Sequence, residues 1–288
     1  MLNPEERWIA GWKALKQVVT DLETSGPHHQ PGAEEYTPYD PPLPSLQQVI
    51  AETDGFAPGS LLLGICDDGL PLVLNLHNPA PGSLLIAADP LSGKTNLLRS
   101  ILHSAVQLNA ATSVSFYILA ENPSAYADLE NLPHIRRVTV PQDRIAGSWI
   151  EELAELVEER QRGRWQGPVM VLVIDGLASL LHYLDPEQFA RLYWLVRHGP
   201  RSRVWVLASL SSASVERLDS RLLAAFRTTL LGSIAAPGIA SYLAQEADAG
   251  AEDLAPGLEF CVRYGEQWIH FWICTTEDSA TWEERAIS

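Results

Sequence analysis

Apolar and polar positions along the chain fall into three successive patterns. Between Pro4 and Leu22, Trp8, Trp12, Leu15, Val19 and Leu22 recur at alternating spacings of four and three, one stripe of an amphipathic helix. Such a stripe packs back on its own domain or docks on a partner. The pattern then stops: Gly26, Pro27, Pro31, Gly32, Pro38, Pro41, Pro42 and Pro44 exclude helix and central strand, which makes 25–45 a linker. Beyond it, residues 46–51 read as a short helix, and 60–76 as two strands about a turn at Asp67, Asp68 and Gly69. Short continuous apolar runs follow at 83–87, 114–119, 169–174, 204–208 and 228–231, the signature of strands buried on both faces. Helical periodicity lies between them at 96–107, 148–162 and 186–197. Strand and helix therefore alternate, which predicts an α/β fold with a mostly parallel, helix-covered sheet. Segments 260–264 and 268–274, separated by Gly265 and Glu266, read as a closing hairpin. The expected organisation is an N-terminal helix (1–24), a linker (25–45) and one domain (46–288).

Composition narrows the classes. With 46% apolar residues in 288, the chain can bury a proper core, which excludes a disordered or collagen-like polymer. Twenty basic against 36 acidic residues give a net charge of −16, so nucleic acid could be held only at a local basic patch. Cys66, Cys261 and Cys274 have neither disulfide-framework nor zinc-site spacing, which suits a reducing compartment. The N-terminus has no leader pattern and the longest apolar run ends at Asp175, so a soluble, cytoplasmic protein without a membrane segment is expected. His28 and His29, neighbours in the linker, read as solvated, with metal binding as the alternative.

The chemistry concentrates after the 83–87 strand. Ala88, Asp89, Pro90, Leu91, Ser92, Gly93, Lys94 and Thr95, followed by Asn96 at the start of a helix, have the phosphate-loop layout with alanine in place of the first glycine. In that layout backbone N–H groups and a helix N-terminus face a polyphosphate, Lys94 adds a positive charge and Thr95 offers a hydroxyl to Mg²⁺. Ala88 is costly by about 1 kcal/mol if its φ is positive and harmless if it is negative. A site of this kind needs a second acid for the metal's water shell, and Asp175 ends the apolar strand Val171, Leu172, Val173, Ile174. Gly176 follows it and can supply no base. Glu121, just past the 114–119 strand, is the candidate substitute acid, its alternative being a surface ion pair.

Taken in order, these pieces resemble the FtsK/SpoIIIE ATPases, P-loop NTPases of RecA-like fold, over about 62–274. Leu63, Gly64 and Ile65 through Asp68, Gly69 and the apolar run Leu70 to Leu76 are similar to the family's hairpin before the phosphate loop. Asn131, Leu132, Pro133, His134 and Ile135 resemble its Ile-Pro-His-Leu block, and Glu158, Glu159 and Arg160 its Glu-Met-Glu-Arg helix. Arg197 to Ser209 is similar to its Arg-x-x-Gly-Ile-His-Leu-Ile-Leu-Ala-Thr stretch. Two departures stand out: Asp175-Gly176 replaces Asp-Glu, and Ser209-Leu210 replaces Thr-Gln. An Asp-Gly strand end is similar to the degenerate ATPase modules of type VII secretion motors.

The resemblance implies ATP and Mg²⁺ as cofactors, with Lys94 and loop residues 88–96 on the nucleotide and Thr95 and Asp175 on the metal. It implies a ring or ring-like oligomer moving DNA or a secreted protein, with Arg197 and Arg201 as trans-acting arginines or as ordinary surface residues. Slow or partner-dependent hydrolysis is one expectation, and a non-hydrolysing nucleotide-binding scaffold is the other. Arg160, Arg162 and Arg164, with Arg197, Arg201 and Arg203, could meet phosphates without reading bases, although solvated helix ends are the plainer account. Trp165, Trp268 and Trp272 read as core or interface residues.

Overall fold

A computed structural model describes residues 43–53, 55–245 and 249–276; the N-terminal stripe and linker, with His28 and His29, lie outside the described residues. One sheet of ten strands organises the domain: β1 (Ser60–Cys66), β2 (Pro71–Asn75), β3 (Leu84–Ala88), β4 (Val114–Ala120), β5 (Ile135–Thr139), β6 (Val169–Asp175), β7 (Val204–Ser211), β8 (Thr228–Leu231), β9 (Glu259–Tyr264) and β10 (Gln267–Trp272), in the order β2-β1-β10-β9-β8-β3-β7-β6-β4-β5. From β8 to β5 every neighbouring pair is parallel. The two hairpins extend the sheet antiparallel beyond β8.

Seven helices accompany the strands among the described residues: α1 (Leu46–Glu52), α2 (Lys94–Leu108), α3 (Arg144–Gln161), α4 (Leu177–Tyr183), α5 (Pro186–His198), α6 (Ser220–Ala225) and α7 (Pro237–Ala244). Asp143 caps α3 by accepting from Ile145 N, so this helix starts four residues before its apolar periodicity becomes clear. Asp185 and Gln188 form a capping box on α5, with Pro186 at its first position. The helices α4, α6 and α7 and the strand β5 were not expected. They are short, and β5 has charged Arg136 and Arg137 in its middle, so period alone does not reveal them.

Strand alternation sorts the core into two layers. Met170, Leu172 and Ile174 with Val204, Val206 and Ala208 face α3 and α5, whose Trp149, Leu153, Val157, Leu192 and Leu195 complete that cluster. Val171, Val173 and Asp175 point to the other face, which Trp205, Leu207 and Ser209 of β7 share by the same parity. Trp205 is wholly buried and its indole N–H donates to Leu76 O at 3.0 Å, tying the β-hairpin exit to the parallel core. No helix among the described residues is long and apolar enough to cross a membrane.

Candidate functional site

β3 ends at Ala88 and α2 begins at Lys94, so the loop between them is one residue shorter at the strand end and two shorter at the helix end than periodicity suggests. Ala88 is fully buried and absent from the positive-φ residues, so its methyl carries no conformational strain. It fits because residue 232 is glycine: a Cβ there would lie 3.0 Å from the Ala88 Cβ. Gly93 has φ +77° and a Cβ on it would stand 2.6 Å from Gly257 Cα, so loop 88–94 and the segment before β9 meet backbone to backbone.

Asp89 anchors the loop. Its carboxylate accepts from Ala235 N at 2.9 Å and from the Ser212 hydroxyl, and its own N–H donates to Ser233 O at 2.9 Å. Leu91, at the loop tip, combines φ +63° with a fully exposed side chain. No packing holds it in that conformation, so Leu91→Gly is expected to raise stability by about 0.5–1 kcal/mol, the left-handed penalty less glycine's chain entropy. Thermal unfolding checks this as a rise of about 1–3 °C, and a fall would show that the leucine has a role in the fold.

Lys94, Thr95 and Asn96 form the first turn of α2, where N–H groups have no intrahelical acceptor. The Lys94 ammonium donates to Ala88 O at 3.1 Å and to Asp89 O at 2.6 Å. Burial pushes its pKa down, opposed by the nearby Asp175 and Asp89 carboxylates. The Thr95 hydroxyl donates to Asp175 Oδ2 at 2.7 Å, across 80 residues of sequence. Two further hydroxyls reach the same carboxylate: Tyr126 donates to Oδ2 at 3.0 Å and Ser209 to Oδ1 at 2.7 Å, while Ser209 accepts from Gly176 N at 2.9 Å. Burial, then the Asp175 charge, raises the Tyr126 phenol well above its usual pKa, so it remains a donor.

Glu121 lies beside Gly176. Its backbone N–H donates to Asp175 O at 3.2 Å, and a Cβ on residue 176 would stand 2.8 Å from the Glu121 carboxyl carbon and 3.0 Å from Oε1. A carboxylate from the end of β4 thus lies beside the residue that follows Asp175. Gly176, with φ +112°, is favoured by its backbone conformation, and a Cβ there would have to push the Glu121 side chain aside. Leu210 points by parity into the opposite core layer.

Arg197 and Arg201 lie near the start of β7, whereas Ser209 marks its site end, roughly 17 Å of strand away. Neither can serve the loop of its own chain. Arg197 donates to the Tyr193 hydroxyl at 3.1 Å. Arg160 donates to the carbonyls of Pro168, Ser202 and Arg203, and Arg162 and Arg164 pair with Glu158 and Glu159. Trp165 is exposed with its ring 5.0 Å from the Arg160 guanidinium, Trp268 packs on the core, and Trp272 donates to Asp67. Tyr126, Gly232 and Gly257 had no sequence signal. Each is tied to the site by a contact across more than 45 residues of chain, for which no local pattern exists.

Residues 56–165 match the family model described as FtsK/SpoIIIE family. The ESX-5 secretion system protein EccC5 of Mycobacterium marinum is 32% identical over 96 residues, 33% of this chain and 7% of that protein. EccC5 of Mycobacterium tuberculosis is 31% identical over 106 residues, 35% of this chain and 8% of the relative. The chain thus aligns with less than a tenth of the length of these curated relatives. Among solved structures, EssC (ATPases 2 and 3) from Geobacillus thermodenitrificans superposes with a TM-score of 0.68 at 15% identity, covering 86% of this chain and 50% of that one. Thermomonospora curvata EccC (ATPases 2 and 3), in complex with a signal sequence peptide, gives 0.62 at 16%, covering 87% and 46%. The pCW3 conjugation coupling protein TcpA with ATPγS gives 0.64 at 17%, covering 83% and 71%. The fold is that of RecA-like P-loop ATPases.

Proposed function

We propose that this chain, which carries an FtsK/SpoIIIE-type ATPase domain, binds ATP with Mg²⁺ at residues 88–96 and hydrolyses it with Glu121 as general base. The observation that carries the reading is the Glu121 carboxylate set against Gly176, beside the Thr95–Asp175 pair. Magnesium fits the donors present: a hydroxyl and a carboxylate are hard oxygen ligands, and Mg²⁺ takes few protein ligands besides substrate phosphates. Bound there, the ion would neutralise phosphate charge. The chain's own groups do the rest: Lys94 moves its ammonium from the loop carbonyls to the phosphates, the α2 N-terminus orients them, and Glu121 takes a proton from the attacking water.

Hydrolysis would serve a cytoplasmic ring-like assembly in which Arg197 and Arg201 reach a neighbour's nucleotide. The moved polymer is a polypeptide in this reading. The aligned relatives are secretion proteins, and Arg160, Arg162 and Arg164, which DNA phosphates would need, are held by carbonyls or glutamates. The second reading, a nucleotide-held scaffold, is favoured by the Lys94 ammonium already satisfied by loop carbonyls and by the apolar Leu210.

Phosphate release from Mg·ATP over a protein concentration series tests both. Lys94→Ala serves as the blank and should bind nucleotide about ten- to a hundredfold more weakly, having lost its charge-assisted bonds to phosphate. Release above the blank that climbs with concentration supports the assembling ATPase. A nucleotide-induced rise in melting temperature without release supports the scaffold, and no shift at all overturns both.

A further inference from the structure

We propose that Tyr126 is a positioning residue for the Asp175 carboxylate, holding it in the one orientation that leaves an acceptor site free toward bound metal. The inference rests on the nucleotide-and-Mg²⁺ reading above and assigns a role to a residue outside the phosphate loop and the β6 strand end.

An ionised carboxylate has about four lone-pair sites. On Asp175 three are taken, each by a hydroxyl from a different part of the fold: Thr95 from α2 and Tyr126 from the 3₁₀ turn Pro123–Tyr126 on Oδ2, and Ser209 from β7 on Oδ1. The remaining site, on Oδ1, is the one open to a further donor such as a metal-held water. Thr95 has a double task, since its lone pairs are wanted by the cation while its proton goes to Asp175. Tyr126 has a single one. Its side chain is wholly buried, and among the described residues its hydroxyl donates to the Asp175 oxygen alone.

The same segment has a separate anchor that does not involve the site. Asp128 accepts from Arg99 at 2.9 Å and meets His103 Nε2 at 2.9 Å, both on α2. Tyr126 is therefore not needed merely to keep residues 121–128 in place. Its phenol links the segment that begins with Glu121 to the carboxylate beside Glu121.

The test compares the full chain with Tyr126→Phe and Asp128→Asn, using calorimetric binding of the non-hydrolysable analogue AMPPNP with and without Mg²⁺. The readout is the factor by which Mg²⁺ tightens binding. Tyr126→Phe is expected to lower that factor about tenfold, the loss of one hydrogen bond to a charged group, with metal-free affinity unchanged. Asp128→Asn should keep it. An undiminished factor in Tyr126→Phe overturns the proposal, as does an equal loss in Asp128→Asn, which would reduce Tyr126 to a segment anchor. If the wild-type chain binds AMPPNP with no Mg²⁺ enhancement, the nucleotide-and-metal reading fails first and takes this one with it.

Discussion

Glu121→Gln is expected to lower phosphate release by about 100- to 10,000-fold, the range a positioned general base supplies, while nucleotide still raises the melting temperature as in the wild type. Glutamine keeps the shape that fills the space over Gly176 and loses only the ability to accept a proton from water. Binding rests on Lys94, Thr95 and the α2 N-terminus, which the substitution leaves alone. A rate equal to wild type would remove Glu121 from the chemistry and return it to the surface. A companion change sharpens the reading: Gly176→Ala puts a methyl carbon 2.8 Å from the Glu121 Cγ and carboxyl carbon, and it does so at φ +112°, where an L-residue is strained. Displacing Glu121 in this way should lower turnover in the same direction, without removing a titratable group.

Gly93→Ala should be the most damaging change to the fold around the site. The backbone at φ +77° costs an L-residue about 1–2 kcal/mol, and the new Cβ would stand 2.6 Å from Gly257 Cα and 2.8 Å from Gly257 O. Both neighbours are main chain, so no rotamer relieves the contact, and the overpacking adds about 1–3 kcal/mol. Loop and segment must separate, which moves the N–H groups of the first turn of α2. Denaturant unfolding should show a loss of about 2–5 kcal/mol, and nucleotide should no longer raise the melting temperature. An unchanged midpoint together with an intact nucleotide shift would mean that the 93–257 contact yields freely and does not shape the loop.

Local patterns go far in this chain where the physics is local. Continuous apolar runs at 83–87, 169–174 and 204–208 read as strands buried on both faces, and the parallel sheet follows from them. The loop from Ala88 to Thr95 is readable because phosphate-loop geometry is set by consecutive residues between one strand and one helix. Asp175 is readable as the polar end of an apolar run. The charged strand β5 and the short helices α4, α6 and α7 are not, because their burial depends on neighbours rather than on period.

What sequence alone determined is thus the α/β class, the strand–loop–helix from β3 through Thr95 and the carboxylate at the end of β6, each written in one stretch of chain. Whether the Ala88 methyl fits was decided by its backbone conformation and by the space that Gly232 leaves beside it. That Glu121 lies over Gly176 was decided by the pairing of β4 with β6, which brings Ala120 opposite Asp175. The Tyr126 hydroxyl on Asp175 likewise exists only once the chain has closed on itself. These contacts join residues 49 to 144 positions apart, and side-chain placement at that range follows from sheet register and packing, which no window of sequence contains.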